Sequence, residues 1–86
     1  MRVLLPAALT RLFPGCAAEC ELEAATVAEL IDRLDRSWPG MRDRLCDGVP
    51  AIRRNIHIIV DGRRAGLQTR LPPHGEVAIL TAISGG

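Results

Sequence analysis

The sequence predicts an α+β fold in which a mixed sheet packs on one main helix. Two observations support this prediction: several stretches alternate in polarity or are rich in β-branched residues, and one stretch repeats its apolar residues at helical spacing. A chain of 86 residues is long enough for one core, and its 48% hydrophobic residues favour a folded globule. We therefore predict a single domain over residues 1–86, with a mobile C-terminal tail from about residue 81 to residue 86.

The main helix is predicted to run from residue 27 to about residue 38, where a proline and a glycine end it. Thr26 and Glu29 fit a capping box, in which each side chain satisfies a free backbone N–H. Glu29 with Arg33 and Asp32 with Arg36 have the spacing of exposed ion pairs. The apolar residues recur on one face, which is predicted to pack on the sheet: Val27, Leu30, Ile31, Leu34 and Trp38.

Two strands are predicted before this helix, at residues 3–5 and 18–23. The second strand alternates Glu19, Glu21 and Glu23 with less polar residues, which is typical of a half-buried strand. The glutamates fit either a solvated sheet edge that resists pairing with other chains or an acidic patch that binds a metal. We favour the sheet edge.

Three more strands are predicted after the helix. The first, at residues 55–60, is rich in β-branched residues, and Asp61 and Gly62 after it tolerate the positive φ angles of a tight hairpin turn. The later elements are a returning strand in which Leu67, Thr69 and Leu71 alternate, a turn at 72–75 and a last strand at 76–80. Short helical stretches are predicted at 7–13 and 41–47, and a loop at 48–50.

The charge of the chain provides no strong field for holding phosphates, because the formal net charge is +1. We therefore expect neither a nucleic-acid partner nor a membrane partner. No apolar run approaches the length needed to span a bilayer, and Pro6 and Arg11 interrupt the apolar start, so we expect a cytoplasmic protein. The chain contains no lysine, so its N-terminus is the only amine available for acylation.

No group of residues indicates catalysis by the chain itself. Cys16, Cys20 and Cys46 include no CxxC pair, and no nearby histidine completes a four-ligand metal site, so they are expected to be buried or half-buried thiols. His57 lies between isoleucines and His74 in a turn, without an evident acid–base partner. We expect no bound metal or cofactor, and a protein that is not an enzyme.

The chain resembles the MoaD and ThiS type of ubiquitin-like sulfur carriers along nearly its whole length, which implies the β-grasp (ubiquitin-like) fold. A terminal Gly-Gly alone is weak evidence, but here it ends the sequence only a few residues after a predicted strand. The resemblance is carried by the opening strand, the helix start Thr26-Val27-Ala28-Glu29-Leu30, the strand and turn at 55–62, and the ending Gly75-Glu76-Val77-Ala78-Ile79-Leu80 through Ile83-Ser84-Gly85-Gly86.

The resemblance implies that the chain is a protein co-substrate. A ubiquitin-activating-type adenylyltransferase would use ATP to adenylate the carboxylate of Gly86, which then becomes a thiocarboxylate that donates sulfur to a downstream synthase. Because glycine lacks a Cβ, Gly85 and Gly86 can thread a narrow channel, so Ile83, Ser84 and Gly85 are predicted to enter the partner's active site. Leu80 matches a position where the family keeps an apolar contact with its enzymes; the alternative is a second core residue.

Several pathways and two other functions share this ending. The sulfur could serve cofactor, cysteine or secondary-metabolite biosynthesis, and the long stretch at 38–54 is more similar to carriers of the cysteine and siderophore-type pathways than to the compact thiamin carrier. A ubiquitin-like modifier would use the same activation step to form an amide bond with target lysines. A non-catalytic β-grasp interaction domain would not need Gly86.

Overall fold

The computed structural model describes residues 1–48 and 51–82, which form the predicted mixed sheet packed on one main helix. The elements in chain order are β1 (Arg2–Leu4), α1 (Ala7–Thr10), β2 (Glu19–Glu21), α2 (Val27–Ser37), α3 (Met41–Leu45), β3 (Ile56–Val60), β4 (Arg63–Ala65) and β5 (Glu76–Thr81). The strand order is β2-β1-β5-β3-β4; β1 and β5 are parallel, and the other neighbours are antiparallel. The strand that leads to the C-terminus therefore lies at the centre of the sheet.

Helix α2 forms where the sequence predicts it and begins with the predicted cap. The backbone N–H of Glu29 donates to Oγ1 of Thr26 at 3.2 Å. The returning bond of the capping box differs by one residue, because Oε2 of Glu29 accepts from the N–H of Ala25 at 3.4 Å. The predicted pair of Glu29 with Arg33 is present at 3.4 Å. The cap thus satisfies one backbone N–H in the first turn of α2 and one in the loop before it.

The predicted pair of Asp32 with Arg36 is wrong, because Asp32 pairs with Arg42 of α3 instead. Asp35 explains why α3 lies close enough for this pair. Its Oδ1 accepts the backbone N–H groups of Gly40 at 3.1 Å and Arg42 at 3.0 Å, which fixes the turn between the two helices. A tertiary contact therefore replaces the local pair that the spacing predicts.

The predicted hairpin after β3 has the expected turn but a different returning strand. Asp61 and Gly62 have φ angles of 48° and 84°, as a two-residue turn requires. A turn this short places Arg63 directly opposite Val60, so β4 covers Arg63–Ala65. The predicted strand at Leu67, Thr69 and Leu71 is wrong.

The segment with the alternating residues pairs with the start of α2 instead. The N–H of Val27 donates to the carbonyl of Thr69 at 3.1 Å, and the N–H of Ala28 donates to the carbonyl of Leu67 at 2.9 Å. The first N–H groups of a helix have no partner within the helix, so these carbonyls satisfy donors that would otherwise need water. The alternation therefore reflects a docked loop that covers the helix end.

The turn before β5 packs against the Asp61 turn and requires a glycine. A Cβ built on Gly75 would lie 2.8 Å from Oδ2 of Asp61 and 3.0 Å from Cγ of Pro72. Oδ1 of Asp61 also accepts the N–H of Glu76 at 2.9 Å. Because Gly75 has no Cβ, the Asp61 side chain has room to form this hydrogen bond with the first residue of β5.

The core between the helices and the sheet is aliphatic, as the composition predicts. Phe13 and Trp38 pack only at its border. Strand β2 lies at one edge of the sheet with its glutamates exposed, which confirms the edge interpretation. The largest fully buried side chains are those of Leu30, Ile31, Leu34, Met41, Leu45, Ile58, Ile79, Val3, Val27 and Val77.

Strand β5 extends to the point where the tail is predicted to begin. Thr81 is its last residue and pairs with Ile56, and the N–H of Ala82 donates to the carbonyl of Asn55 at 2.7 Å. The predicted tail residues Ile83, Ser84, Gly85 and Gly86, and Val49 and Pro50 of the predicted loop, lie outside the described residues. None of the described helices is long and apolar enough to cross a membrane.

Candidate functional site: the C-terminal strand and the open face of the sheet

The sheet has one face away from α2, which we call the open face. Alternation along β5 determines which residues lie on it. Val77 and Ile79 point into the core with 0% and 1% exposure, so Ala78 and Leu80 point to the other side. The open face carries Leu4, His57, Ile59, Arg64, Ala78 and Leu80.

An apolar row crosses three strands of the open face. Ala78 lies between Leu4 of β1 and Ile59 of β3, and all three are half-buried. At the beginning of β5, Glu76 forms an ion pair with Arg2 at 3.6 Å. The open face of β5 therefore changes from charged to apolar in the direction of the C-terminus.

Leu80 lies at the apolar end of this strand and is 48% exposed. This exposure excludes the alternative of a second core residue. A half-exposed leucine on an otherwise half-buried apolar row suits contact with another protein. The predicted site residues Gly86, Gly85, Ser84 and Ile83 lie outside the described residues, so their roles remain predictions.

His57 and Arg64 form a contact that the sequence did not indicate. Nη2 of Arg64 lies 2.9 Å from Nδ1 of His57. A guanidinium has only donors, so Nδ1 of His57 is the acceptor in this contact. The pairing was missed because the returning strand was predicted at Leu67 instead of Arg63. A two-residue turn would have placed Arg64 opposite Ile59, on the same face as His57.

The three cysteines are not activated. Burial raises the pKa of Cys46 and of Cys16, and it raises the pKa of Cys20 together with the neighbouring Cys16 and Glu21. A raised pKa keeps a thiol protonated near neutral pH and lowers its nucleophilicity. Within residues 1–48 and 51–82, no three metal-ligating side chains come together.

A groove of about 410 Å³ lies beside the end of β5. Thr81 lines one side, and Leu12, Arg44 and Arg53 line others. Leu12 is 48% exposed because α1 ends at Thr10, before the predicted helical stretch does. Another concavity, of about 480 Å³, lies at the opposite end of the sheet near Met1.

The chain combines a β-grasp fold with an exposed apolar face along its last strand, as expected of a small ubiquitin-like protein. The chain belongs to the ThiS family, whose family model matches residues 3–86. The resemblance to MoaD/ThiS-type ubiquitin-like sulfur carriers is thereby confirmed. Members of this family are small carrier proteins rather than catalysts.

Several solved structures share the fold of this chain. A chain of the BexX/CysO complex from Amycolatopsis orientalis is 28% identical, with a TM-score of 0.87 over 99% of this chain and 98% of that one. CysO from Mycobacterium tuberculosis is 24% identical, with a TM-score of 0.83 over 95% and 98%. Small archaeal modifier protein 1 from Methanosarcina acetivorans is 25% identical, with a TM-score of 0.81 over 99% and 94%. No curated protein sequence is significantly similar to the chain.

Proposed function

We propose that the protein is a sulfur carrier that transports sulfur as a thiocarboxylate on Gly86. The observation that supports this proposal most strongly is the match to the ThiS family over residues 3–86, which includes the Gly85-Gly86 ending. The central strand β5 runs directly towards that ending. The proposal places the protein in the cytoplasm as a co-substrate of other enzymes.

The chemistry begins with activation of a poor electrophile. The Gly86 carboxylate attacks the α-phosphorus of ATP on an activating enzyme, forming an acyl adenylate and releasing pyrophosphate. A sulfur nucleophile at the oxidation level of sulfide then attacks the acyl carbon. The bond to AMP breaks, and Gly86 is left with a thiocarboxylate. On a downstream synthase the thiocarboxylate sulfur attacks an electrophilic carbon of the acceptor and displaces its leaving group. Water then hydrolyses the acyl–sulfur bond, which leaves the sulfur on the acceptor and restores the Gly86 carboxylate. The chain itself contributes an accessible terminus and a docking surface, and it binds neither ATP nor metal.

The docking surface of the proposal is the open face around Leu80. A relative of this chain occurs in the BexX/CysO complex, which supports a partner that binds the folded domain. Ala82 is still hydrogen-bonded to the loop before β3, so four residues remain to reach the partner's active site. Four extended residues span at most about 14 Å. The partner must therefore hold the end of β5 close to its catalytic centre.

The test is mass spectrometry of the protein after incubation with ATP, a ubiquitin-activating-type enzyme and a sulfur source. We expect one oxygen to be replaced by sulfur, and peptide mapping to place the change at Gly86. A variant without Gly86 should stay unmodified, and a variant with all three cysteines replaced by alanine should react normally. Sulfur found as a persulfide on Cys16, Cys20 or Cys46 would contradict the proposal.

A second candidate function is a ubiquitin-like modifier, which the similarity to small archaeal modifier protein 1 favours. It uses the same adenylate but transfers the acyl group to a lysine amine. The chain contains no lysine, so lysine-linked chains of this protein cannot form. Denaturing purification of the tagged protein from its own cells distinguishes the two, because a modifier carries target peptides joined to Gly86 through an amide bond.

A further inference from the structure

The two edges of the sheet carry opposite charge, although the formal net charge is only +1. Residues 19–35, which contain β2 and most of α2, hold six carboxylates and one arginine. Residues 51–75, which contain β3 and β4, hold five arginines and one carboxylate. Such a charge separation gives the molecule a preferred orientation in the field of a charged partner.

The basic edge contains a concavity that three arginines line. Strand β4 pairs only with the last three residues of β3, so within residues 1–48 and 51–82 no strand pairs with the first part of β3 on that side. A concavity of about 210 Å³ lies there, and Arg53, Arg54 and Arg64 contribute to its walls. All three arginines are exposed.

Two of these guanidinium groups donate to acceptors that are not carboxylates. Nε of Arg53 donates to the carbonyl of Asp43 at 2.9 Å, and Arg64 donates to Nδ1 of His57. Among the described residues, no carboxylate lies within ion-pair distance of Arg53, Arg54 or Arg64. Arg53 and Arg64 are thus positioned, and the charge of none of the three arginines is neutralised by a carboxylate within the described part of the chain.

Arg64 links the basic concavity to the open face, because it lines the concavity together with the core-facing Ile56 and Ile58 and contacts His57 on the open face. Leu80 of β5 lies directly opposite His57 of β3, and His57 contacts Arg64 of β4. Neighbouring strands are about 4.8 Å apart, so Leu80 and Arg64 are on strands separated by about 10 Å. The exposed Leu80 and Arg64 of the basic concavity therefore lie on the same face of the sheet.

We propose that this concavity receives a carboxylate side chain from an acidic surface of the activating enzyme, beside the apolar site that contacts Leu80. The inference rests on the proposed function and specifies the chemistry of its partner. Guanidinium groups bind carboxylates with paired, charge-assisted hydrogen bonds, and such contacts at an interface rim mainly raise the association rate. The acidic β2 edge then faces away from the partner.

An acidic protein surface suits this arrangement better than a nucleic acid. Proteins that bind single strands stack bases on aromatic side chains, but the only aromatic rings of the Phe and Trp type, Phe13 and Trp38, lie at the core border instead of on the open face. The glutamates of β2 on the same sheet would also repel a long phosphate backbone. A compact carboxylate cluster needs only the basic edge.

The test compares Arg64→Glu with Arg36→Glu, which makes the same charge change on exposed α2. Affinity for the ubiquitin-activating-type enzyme is measured by calorimetry at about 50 mM and about 300 mM salt, where screening lengths differ more than twofold. We expect Arg64→Glu to weaken binding at least about tenfold at low salt and to reduce the salt dependence. Arg36→Glu should behave like wild type, and both variants should melt normally.

The outcomes separate this inference from the proposed function. Equal affinities of the two variants would overturn the inference while wild-type binding and adenylation persist. A wild-type chain that the enzyme neither binds nor adenylates would overturn the proposed function and this inference with it. Binding of a single-stranded oligonucleotide that Arg64→Glu abolishes, with enzyme affinity unchanged, would also overturn the inference and indicate a nucleic-acid site.

Discussion

The orientation of a single side chain decides whether β5 presents a surface or only fills the core. Leu80 and Ile79 are adjacent, yet the exposed fractions of their side chains are 48% and 1%. Alternation in the sequence predicted two faces for this strand, but it could not assign one of them to solvent, because a sheet can be covered on both sides. The position of α2 on one face of the sheet resolved this ambiguity.

We expect Leu80→Glu to fold and Ile79→Glu to be severely destabilised. At position 80 the new carboxylate stays in water, whereas at position 79 it would be buried without a partner. Differential scanning calorimetry of both variants beside wild type measures the difference. A melting temperature for Leu80→Glu as low as that of Ile79→Glu would show that the open face is covered.

The cysteines predict how stability depends on pH. Because burial raises their pKa in the folded state, the unfolded chain loses these protons first as pH rises. The free energy of unfolding should therefore fall as the pH rises above about 8.5. Below that pH the thiols are protonated in both the folded and the unfolded state, so they should cause no change of stability with pH. The chain has no lysine and no tyrosine, so few other groups titrate between about pH 8.5 and 11.

Denaturant unfolding at several pH values checks this dependence. The control is a variant with Cys16, Cys20 and Cys46 replaced by alanine. It should be less stable throughout, because Cys46 is buried, but its stability should not decline over the same alkaline range. An identical alkaline decline in the control would assign the effect to other groups.

At the scale of elements, local signals predicted most of the fold. Helix α2 was predictable because its cap, its apolar stripe and its stop signal agree, and the Asp61-Gly62 turn was predictable because both residues tolerate positive φ. Strand β4 was missed because Arg63 and Arg64 have no apolar alternation, and backbone pairing with β3 determines their conformation. The Asp32–Arg42 pair was missed because it depends on how α3 docks.

We expect Leu34→Ala or Leu30→Ala to lower the free energy of unfolding by about 2–5 kcal/mol. Both side chains are fully buried between α2 and the sheet, so truncation leaves space that the surroundings fill only in part. Arg36→Ala on the exposed side of the same helix should change stability by less than about 0.5 kcal/mol. Urea unfolding compares the three. A core variant as stable as Arg36→Ala would contradict the described packing.

At the scale of the whole molecule, the net charge of the sequence does not show that acidic and basic residues are separated in the structure. The formal net charge of +1 led us to expect local recognition without a strong field. The sheet order places β2 and β4 at opposite edges, so the glutamates of β2 and the arginines of β4 are as far apart as the sheet allows. This arrangement could not be derived from composition, because it depends on strand order. The family resemblance, in contrast, was available from the sequence, since element order and the Gly-Gly ending are linear features.

The separation of docking from chemistry can be tested with two variants of the whole protein. Deletion of Gly86 moves the terminal carboxylate back to Gly85, about 3.5 Å short of the proposed reactive position, but leaves Leu80 and the open face intact. The truncated protein should bind the activating enzyme with near wild-type affinity, compete with wild type, and accept no sulfur. Leu80→Glu keeps Gly86 but places a charge in an apolar contact, so it should lose sulfur transfer because it loses binding.

Competition in the adenylation assay, followed by pyrophosphate release, distinguishes these two failures. The deletion variant should inhibit adenylation of wild type, and an excess of Leu80→Glu should not. Deletion of Gly86 should also leave the melting temperature unchanged, because every buried core residue among residues 1–48 and 51–82 precedes Thr81. If the deletion variant fails to compete, the terminal glycine supplies binding energy, and docking and chemistry are not separable. If Leu80→Glu competes as well as the deletion variant, the partner contacts another face of the domain.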